Sequence, residues 1–204
     1  GSALRHRNKW RLKRRRVHQA VVFMHIPKTA GTSFNTLAQA LFPKGSTISH
    51  IELIAADRYP ALNQNYRYIS GHLRYGLLKQ HFDQEHHAFY AIVREPYTQL
   101  HSHLKWMIQT VQNPDDNFFK MTNQVIYRLG LKLAGIDFAS PGSLAQFVDS
   151  LDDLEAAFLD NAQTRYFLNE QVLRVQDNDL ETALYNASQF RLVGITEQYD
   201  DFVH

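Results

Sequence analysis

The sequence predicts an α/β protein with a central parallel sheet flanked by helices. Three observations carry that reading. Short, continuous apolar runs occur at "AVVFMHI" (Ala20 to Ile26), "HAFYAIV" (His87 to Val93) and "FRLVGI" (Phe190 to Ile195), the pattern of strands buried on both faces. Stretches with helical periodicity separate them, as the crossovers of a parallel sheet require. Polar turns, "PKTAGTS", "REP" and "TEQ", directly follow these strands, and open α/β sheets bind ligands at the carboxyl ends of their strands.

The elements follow in order. After the first strand, Phe34, Leu37, Ala38, Leu41 and Phe42 fall at i, i+3, i+4, i+7 and i+8, one face of a helix. Thr32 or Ser33 is placed to cap it, and "FPKG" ends it. Residues 46–70 are mixed, with "RYIS" as a short strand before Gly71. Behind the His87–Val93 strand, Pro96 suits the first turn of a helix. Tyr97, Leu100, Leu104, Met107 and Ile108 trace its apolar face, and Thr98, Ser102, Lys105 and Gln109 form a polar stripe opposite. "PDD" at Pro114 breaks the pattern, and residues 117–188 read as mostly helical with an interruption at "ASPGS" (Ala139 to Ser143).

A chain of 204 residues, 44% apolar and 12% aromatic, can bury one ordinary core and is not globally disordered. The formal net charge is +2. That value hides a basic arm, because residues 1–16 carry eight of the 22 Lys and Arg and no acid. The expected division is an arm over 1–19, opening on a Gly1-Ser2 that resembles a cloning remnant, and a single domain over 20–204. The chain stops nine residues beyond Ile195, which leaves the expectation that the domain is truncated at its C-terminus and lacks a final helix. The arm reads as a solvated segment; Trp10 alone makes no stacking platform, and no nucleic-acid partner is expected. No membrane span or signal peptide is present in the sequence. Absence of cysteine favours a reducing, cytoplasmic setting, with a lumenal fragment lacking its anchor as the alternative. It also removes thiolate zinc sites and a cysteine nucleophile. No motif specifies an oligomeric state.

The turn "HIPKTAGTS" (His25 to Ser33) joins strand to helix with a glycine at the bend. That geometry turns backbone N–H groups and a helix dipole toward one spot, which suits phosphate or sulfate. Lys28 adds a full charge, and Thr29, Thr32 and Ser33 offer hydroxyls. An ATP-binding loop would read GxxxxGK[ST], whereas Lys28 lies three residues before Gly31. A ligand-free turn is the bland alternative. In "AIVREPYTQLHSHLKW", Arg94 ends the second long strand and Ser102 follows eight residues later. Taken alone, Arg94 could equally pair with Glu95 or another surface acid.

Together, "HIPKTAGTS" and "VREPYTQLHS" resemble the two cofactor signatures of sulfotransferases that use 3'-phosphoadenosine 5'-phosphosulfate (PAPS). The resemblance is to the carbohydrate sulfotransferases, of the heparan-sulfate 2-O type and bacterial kinds, whose signatures read PKTxxTS or PKTGGTS and RDPxxRxxSxY. It implies a P-loop-like sulfotransferase architecture, PAPS as cofactor with the 3'-phosphoadenosine 5'-phosphate product, no metal, and a carbohydrate hydroxyl as acceptor. It places Lys28, Thr29, Ala30, Gly31, Thr32 and Ser33 on the 5'-phosphosulfate, with Lys28 stabilising the sulfuryl transition state, and Arg94 and Ser102 on the 3'-phosphate. Glu95 stands where Asp is usual, Gln99 where a second Arg is usual, and Leu104 where Tyr is usual.

Sulfuryl transfer to a hydroxyl needs a base. "YISGHLRYG" puts His72 after a short strand and beside Gly71, and the resemblance points to this GH pair as the family's general base. A positioned base contributes roughly 10²–10⁴-fold. Among the 11 histidines, those of "HFDQEHH" could ligate a metal but precede a strand, at the end away from ligands, and read as a solvated turn. His101 and His103 do not share a helix face, and His25, inside the first strand, reads as packed or hydrogen-bonded. "DNAQTRYFLN" (Asp160 to Asn169) contributes Gln163 and Arg165 as candidate cofactor or acceptor contacts, since similar NxQTR stretches occur in bacterial members of the family. The rivals are an ATP-dependent P-loop kinase or NTPase, which lacks its GK[ST] loop here, and a noncatalytic nucleotide- or polyanion-binding module working through the basic arm.

Overall fold

The structure is a computed structural model and describes residues 19–113, 121 and 123–203. The basic arm up to residue 18, with Trp10, and the residues around Pro114 lie outside the described residues.

Strand β1 (Ala20–Met24) leads into helix α1 (Gly31–Leu41), then β2 (Thr47–Ile48), α2 (Tyr59–Asn65), β3 (Tyr68–Gly71), α3 (Tyr75–His81) and β4 (His87–Val93). The long helix α4 (Pro96–Gln112) opens a helical half comprising α5 (Gln124–Ala134), α6 (Pro141–Asp149), α7 (Asp153–Leu159), α8 (Ala162–Tyr166) and α9 (Asp177–Ala187). Strand β5 (Leu192–Ile195) and α10 (Tyr199–Val203) finish the fold.

The five strands form one all-parallel sheet in the order β2-β3-β1-β4-β5. The two long apolar runs are its centre, pairing Ala20 with His87 through Met24 with Ala91. From β1 the chain runs toward the β2 edge, and from β4 it runs toward β5. The crevice between β1 and β4 is therefore the topological switch point, where α/β sheets bind ligands.

Each face of the sheet is covered. On one, Val22, Met24, Ile69, Phe89 and Ala91 pack with Leu62, Tyr75, Leu78, Phe167 and Phe190. On the other, Phe23, Tyr68 and Ile92 meet Ala38 of α1, with Phe34 and Phe202 against them. Burial of each large apolar side chain is worth about 1.5–3 kcal/mol. A third cluster, Met107, Ile126, Leu129 and Leu133, joins α4 to α5.

The expected α/β class with a parallel sheet flanked by helices is the observed one, with four differences. The two-residue β2 is too short to leave a sequence signal. β5 is an edge strand, with Leu192 and Ile195 each 45% exposed, so its apolar run does not mean burial on both faces. In α1 the buried line is Gly31, Asn35 and Ala38, while Leu41 is 70% exposed; Asn35 faces inward because its Oδ1 accepts a 2.6 Å hydrogen bond from the Tyr68 hydroxyl. In α4 the buried line is Gln99, His103, Met107 and Thr110, and Tyr97 is 83% exposed. Polar residues are turned inward there because that face lies against the loop after β1.

Candidate active site

The loop after β1 is set by its own backbone. Thr29 is fully buried and its Oγ1 donates to the Ile26 carbonyl at 2.9 Å, closing a tight turn. Lys28 (φ 66°) and Ala30 (φ 67°) both lie in the left-handed region, a conformation that costs a non-glycine residue roughly 1–2 kcal/mol and that concentrates at functional sites. These two residues swing the chain into α1 at Gly31, with Ala30 as N-cap and no side-chain cap. The expectation that Thr32 or Ser33 caps the helix is therefore corrected: both lie within its first turn, and both are exposed. The first-turn N–H groups have no side-chain partner, which suits an anion. Gly31 must stay bare, since a Cβ there would meet His25 Cδ2 at 2.0 Å.

Arg94, at the end of β4, comes to the same place. Its main chain is clamped by Gln163: Arg94 N donates to Gln163 Oε1 and Gln163 Nε2 donates to Arg94 O, each at 2.8 Å. Its Nη1 donates to the Lys28 carbonyl at 3.3 Å. Its Nε is buried without a hydrogen-bond partner, 4.0 Å from Glu197 Oε1. Glu197 also accepts from Glu95 N at 3.2 Å, so the residues after β1, β4 and β5 meet as the three polar turns suggested. Glu95 caps α4, accepting from Tyr97 N at 3.0 Å and Thr98 N at 2.7 Å; these bonds, with the Thr98 hydroxyl, hold its carboxyl below the usual range. Gln99, where the resembled pattern has arginine, is buried and donates to the Pro27 carbonyl at 3.0 Å. It ties α4 to the loop.

The Lys28 ammonium lies 5.8 Å from the Trp106 ring centre. Burial, and then the charge of Arg94, lowers its pKa. Two cations thus face one another beside an open helix N-terminus, and one guanidinium nitrogen is orphaned. This arrangement suits an anion.

His72 follows β3, the neighbour of β1 on the side away from β4. Its Nδ1 lies 2.6 Å from the His25 carbonyl and its N–H donates to Glu52 Oε2 at 2.9 Å. A carbonyl partner requires the proton on Nδ1 and leaves Nε2 as the lone-pair nitrogen. Burial lowers the His72 pKa, opposed by Glu52 and the His25 carbonyl, which favours the neutral imidazole. His25 packs on it with ring centres 4.2 Å apart. Its own pKa is pushed down to about 3 by burial and then by His72, His50 and Lys28.

The other sequence candidates divide. Ser102 is half-buried on α4. Gln163 supports Arg94. Arg165 is buried and gives its donors to the Asp160, Val172 and Leu173 carbonyls and to Asp160 Oδ2, a structural use of its guanidinium. The "HFDQEHH" turn is organised by Asp83, whose Oδ1 accepts from His86 N at 2.8 Å. Glu52, His50, His103 and Trp106 were missed by sequence reasoning. Glu52 and His50 sit in the irregular segment before α2, where nothing local marks them. His103, on the buried line of α4, stacks on Trp106 with ring centres 5.7 Å apart and is pushed down to about 4 by burial, then Lys28 and His72.

The fold and the site define an open parallel α/β protein whose central strand ends converge on two cations and a neutral histidine. Among solved structures, the crystal structure of mouse sulfotransferase SULT7A1 complexed with PAP is similar to this chain at 17% identity, aligning 81% of this chain and 74% of that chain with a TM-score of 0.37. No family model and no curated protein matches the sequence. Among the described residues, no helix is long and apolar enough to cross a membrane.

Proposed function

We propose that the chain is a PAPS-dependent sulfotransferase that transfers a sulfuryl group to a hydroxyl acceptor, a carbohydrate by its resemblance. The observation that carries this reading is the meeting of Lys28 and Arg94 at the uncapped start of α1, with Arg94 Nε buried and without a hydrogen-bond partner.

PAPS, when bound, supplies an activated sulfuryl group on a phosphate leaving group. Lys28 and the first-turn N–H groups of Gly31, Thr32 and Ser33 hold its 5' end and stabilise charge that develops on the leaving oxygen. By the resemblance, Arg94 at the adjacent strand end and Ser102 on α4 would hold the 3'-phosphate. His72 Nε2 takes the proton of the acceptor hydroxyl, its tautomer fixed by the His25 carbonyl. Thr29, Gln99 and Gln163 act on the scaffold, holding the loop, α4 and Arg94 in register.

Calorimetric titration with 3'-phosphoadenosine 5'-phosphate, beside ATP with Mg²⁺, tests the reading. The expected result is micromolar binding of the former, weakened about 10–100-fold in Arg94→Ala, and much weaker binding of ATP. A folded protein that binds ATP with Mg²⁺ better, or binds neither, overturns it.

A further inference from the structure

Beside the anion loop lies a second group of convergent side chains. His50, Glu52 and His72 each offer one ligand atom, and these atoms lie within 4.8 Å of one another. His50 Nδ1 is 3.0 Å from Glu52 Oε1. The segment that presents them is short: His50 is in the left-handed region (φ 59°) and leads into a single 3-10 turn, Ile51–Leu53. Two imidazoles and a carboxylate are the donor set of three-ligand zinc sites, in which the fourth position is left to water or another group.

We propose that His50, Glu52 and His72 form a binding site for a zinc-class divalent ion. Two independent features support it beyond proximity. His72 gives its Nδ1–H to the His25 carbonyl, which frees Nε2 for an ion, and ligating histidines characteristically pass their other N–H to such an acceptor. Glu52 is likewise held by the His72 backbone N–H on Oε2, leaving Oε1 toward His50. Bonds of about 2.0–2.1 Å to each donor would draw the widest pair in by roughly 1.5 Å. The half-exposed His50 side chain can supply that by rotation.

The consequence for catalysis rests on the proposed function. An ion on His72 Nε2 occupies the lone pair that would receive the acceptor's proton, so metal binding and sulfuryl transfer exclude one another. The site is inhibitory and takes no part in the transfer.

The test is titration of the full chain with Zn²⁺ by calorimetry and with Co²⁺ by visible absorption, in chelator-free buffer. The expected result is one strongly bound ion with the intense bands of low-coordinate Co²⁺. Affinity should fall in His50→Ala, Glu52→Gln and His72→Gln by at least the roughly 10–100-fold that loss of a supporting contact costs. His86→Ala, in the Asp83 turn, should leave it unchanged. Glu52→Gln keeps an acceptor for the His72 N–H, and matched metal-free unfolding curves show that the variants are folded. Binding unaffected by the three substitutions, or lost in His86→Ala, overturns the site. Titration of the same samples with 3'-phosphoadenosine 5'-phosphate separates the two readings: no metal binding with nucleotide binding intact overturns the metal site alone, and the reverse overturns the cofactor assignment alone.

Discussion

The guanidinium of Arg94 donates to the main-chain carbonyl of Lys28 at 3.3 Å, so the ends of β1 and β4 are joined by a cation bonded to the backbone of the other cation's residue. The contact fixes where two positive charges sit, with the Lys28 ammonium over the Trp106 ring and Arg94 Nε without a hydrogen bond, 4.0 Å from Glu197 Oε1.

Arg94→Ala should weaken binding of 3'-phosphoadenosine 5'-phosphate by about 10–100-fold, corresponding to the roughly 1.5–3 kcal/mol of a hydrogen bond to a charged group. Calorimetry reads this directly. Unchanged affinity would remove Arg94 from the cofactor site.

Gln163→Leu removes both bonds to the Arg94 main chain and leaves a partly buried N–H and C=O unpaired. Loss of about 1–3 kcal/mol in stability is expected, together with weaker nucleotide binding, although Gln163 need not touch the ligand. Urea denaturation and calorimetry on the same sample separate the two effects.

Gly31→Ala places a methyl 2.0 Å from His25 Cδ2 and 2.2 Å from its Nε2. The His25 ring is packed in the core, so the loop must move; overpacking of this kind costs about 1–3 kcal/mol. A lower thermal midpoint and impaired nucleotide binding are expected. A variant that matches the parent in both would show that the loop is less constrained than its geometry indicates.

His72→Ala should abolish turnover with a true acceptor while nucleotide affinity stays within a few-fold, because His72 follows β3 and is tied to the His25 carbonyl and Glu52 rather than to Arg94. Retained turnover would exclude it as the base.

His103 is 4% exposed and its pKa is lowered from 6.5 to about 4; Lys28, His72 and the stacked Trp106 are the groups that face it. The unfolded chain therefore binds a proton more readily than the folded one. This contribution to stability is fully present above pH 6.5 and is lost as pH falls toward 4, up to about 3 kcal/mol at 1.36 kcal/mol per pKa unit. Replacing His103 with Leu should flatten the loss of stability between pH 6.5 and 4, measured by urea denaturation across that range. An unchanged slope would mean that other groups, His25 among them, carry the acid sensitivity.

The strands were legible because β-branched and aromatic runs such as Val21 to Phe23 and Phe89 to Val93 carry their burial in composition. The helix faces were less so. Periodicity assigned Tyr97 to the apolar face, and the resemblance set Gln99 where an arginine is usual, whereas Gln99 is buried on the Pro27 carbonyl and Tyr97 points to solvent. A hydrophobic pattern records average burial and has no means of registering a polar side chain whose partner lies 72 residues away. Glu52 and His50 were silent for the same reason.

The sequence by itself determined the α/β class, the central strands and the placement of Lys28, Arg94 and His72 just past strand ends, since these depend on local composition and on turns that follow strands. The tertiary structure decided which turns meet. It brought β1 beside β4, turned Gln163 onto Arg94 and Gln99 onto the loop, committed Arg165 to structural bonds, and set His50 and Glu52 against His72. Those relationships arise from strand order and from hydrogen bonds between distant residues, and no local propensity encodes them.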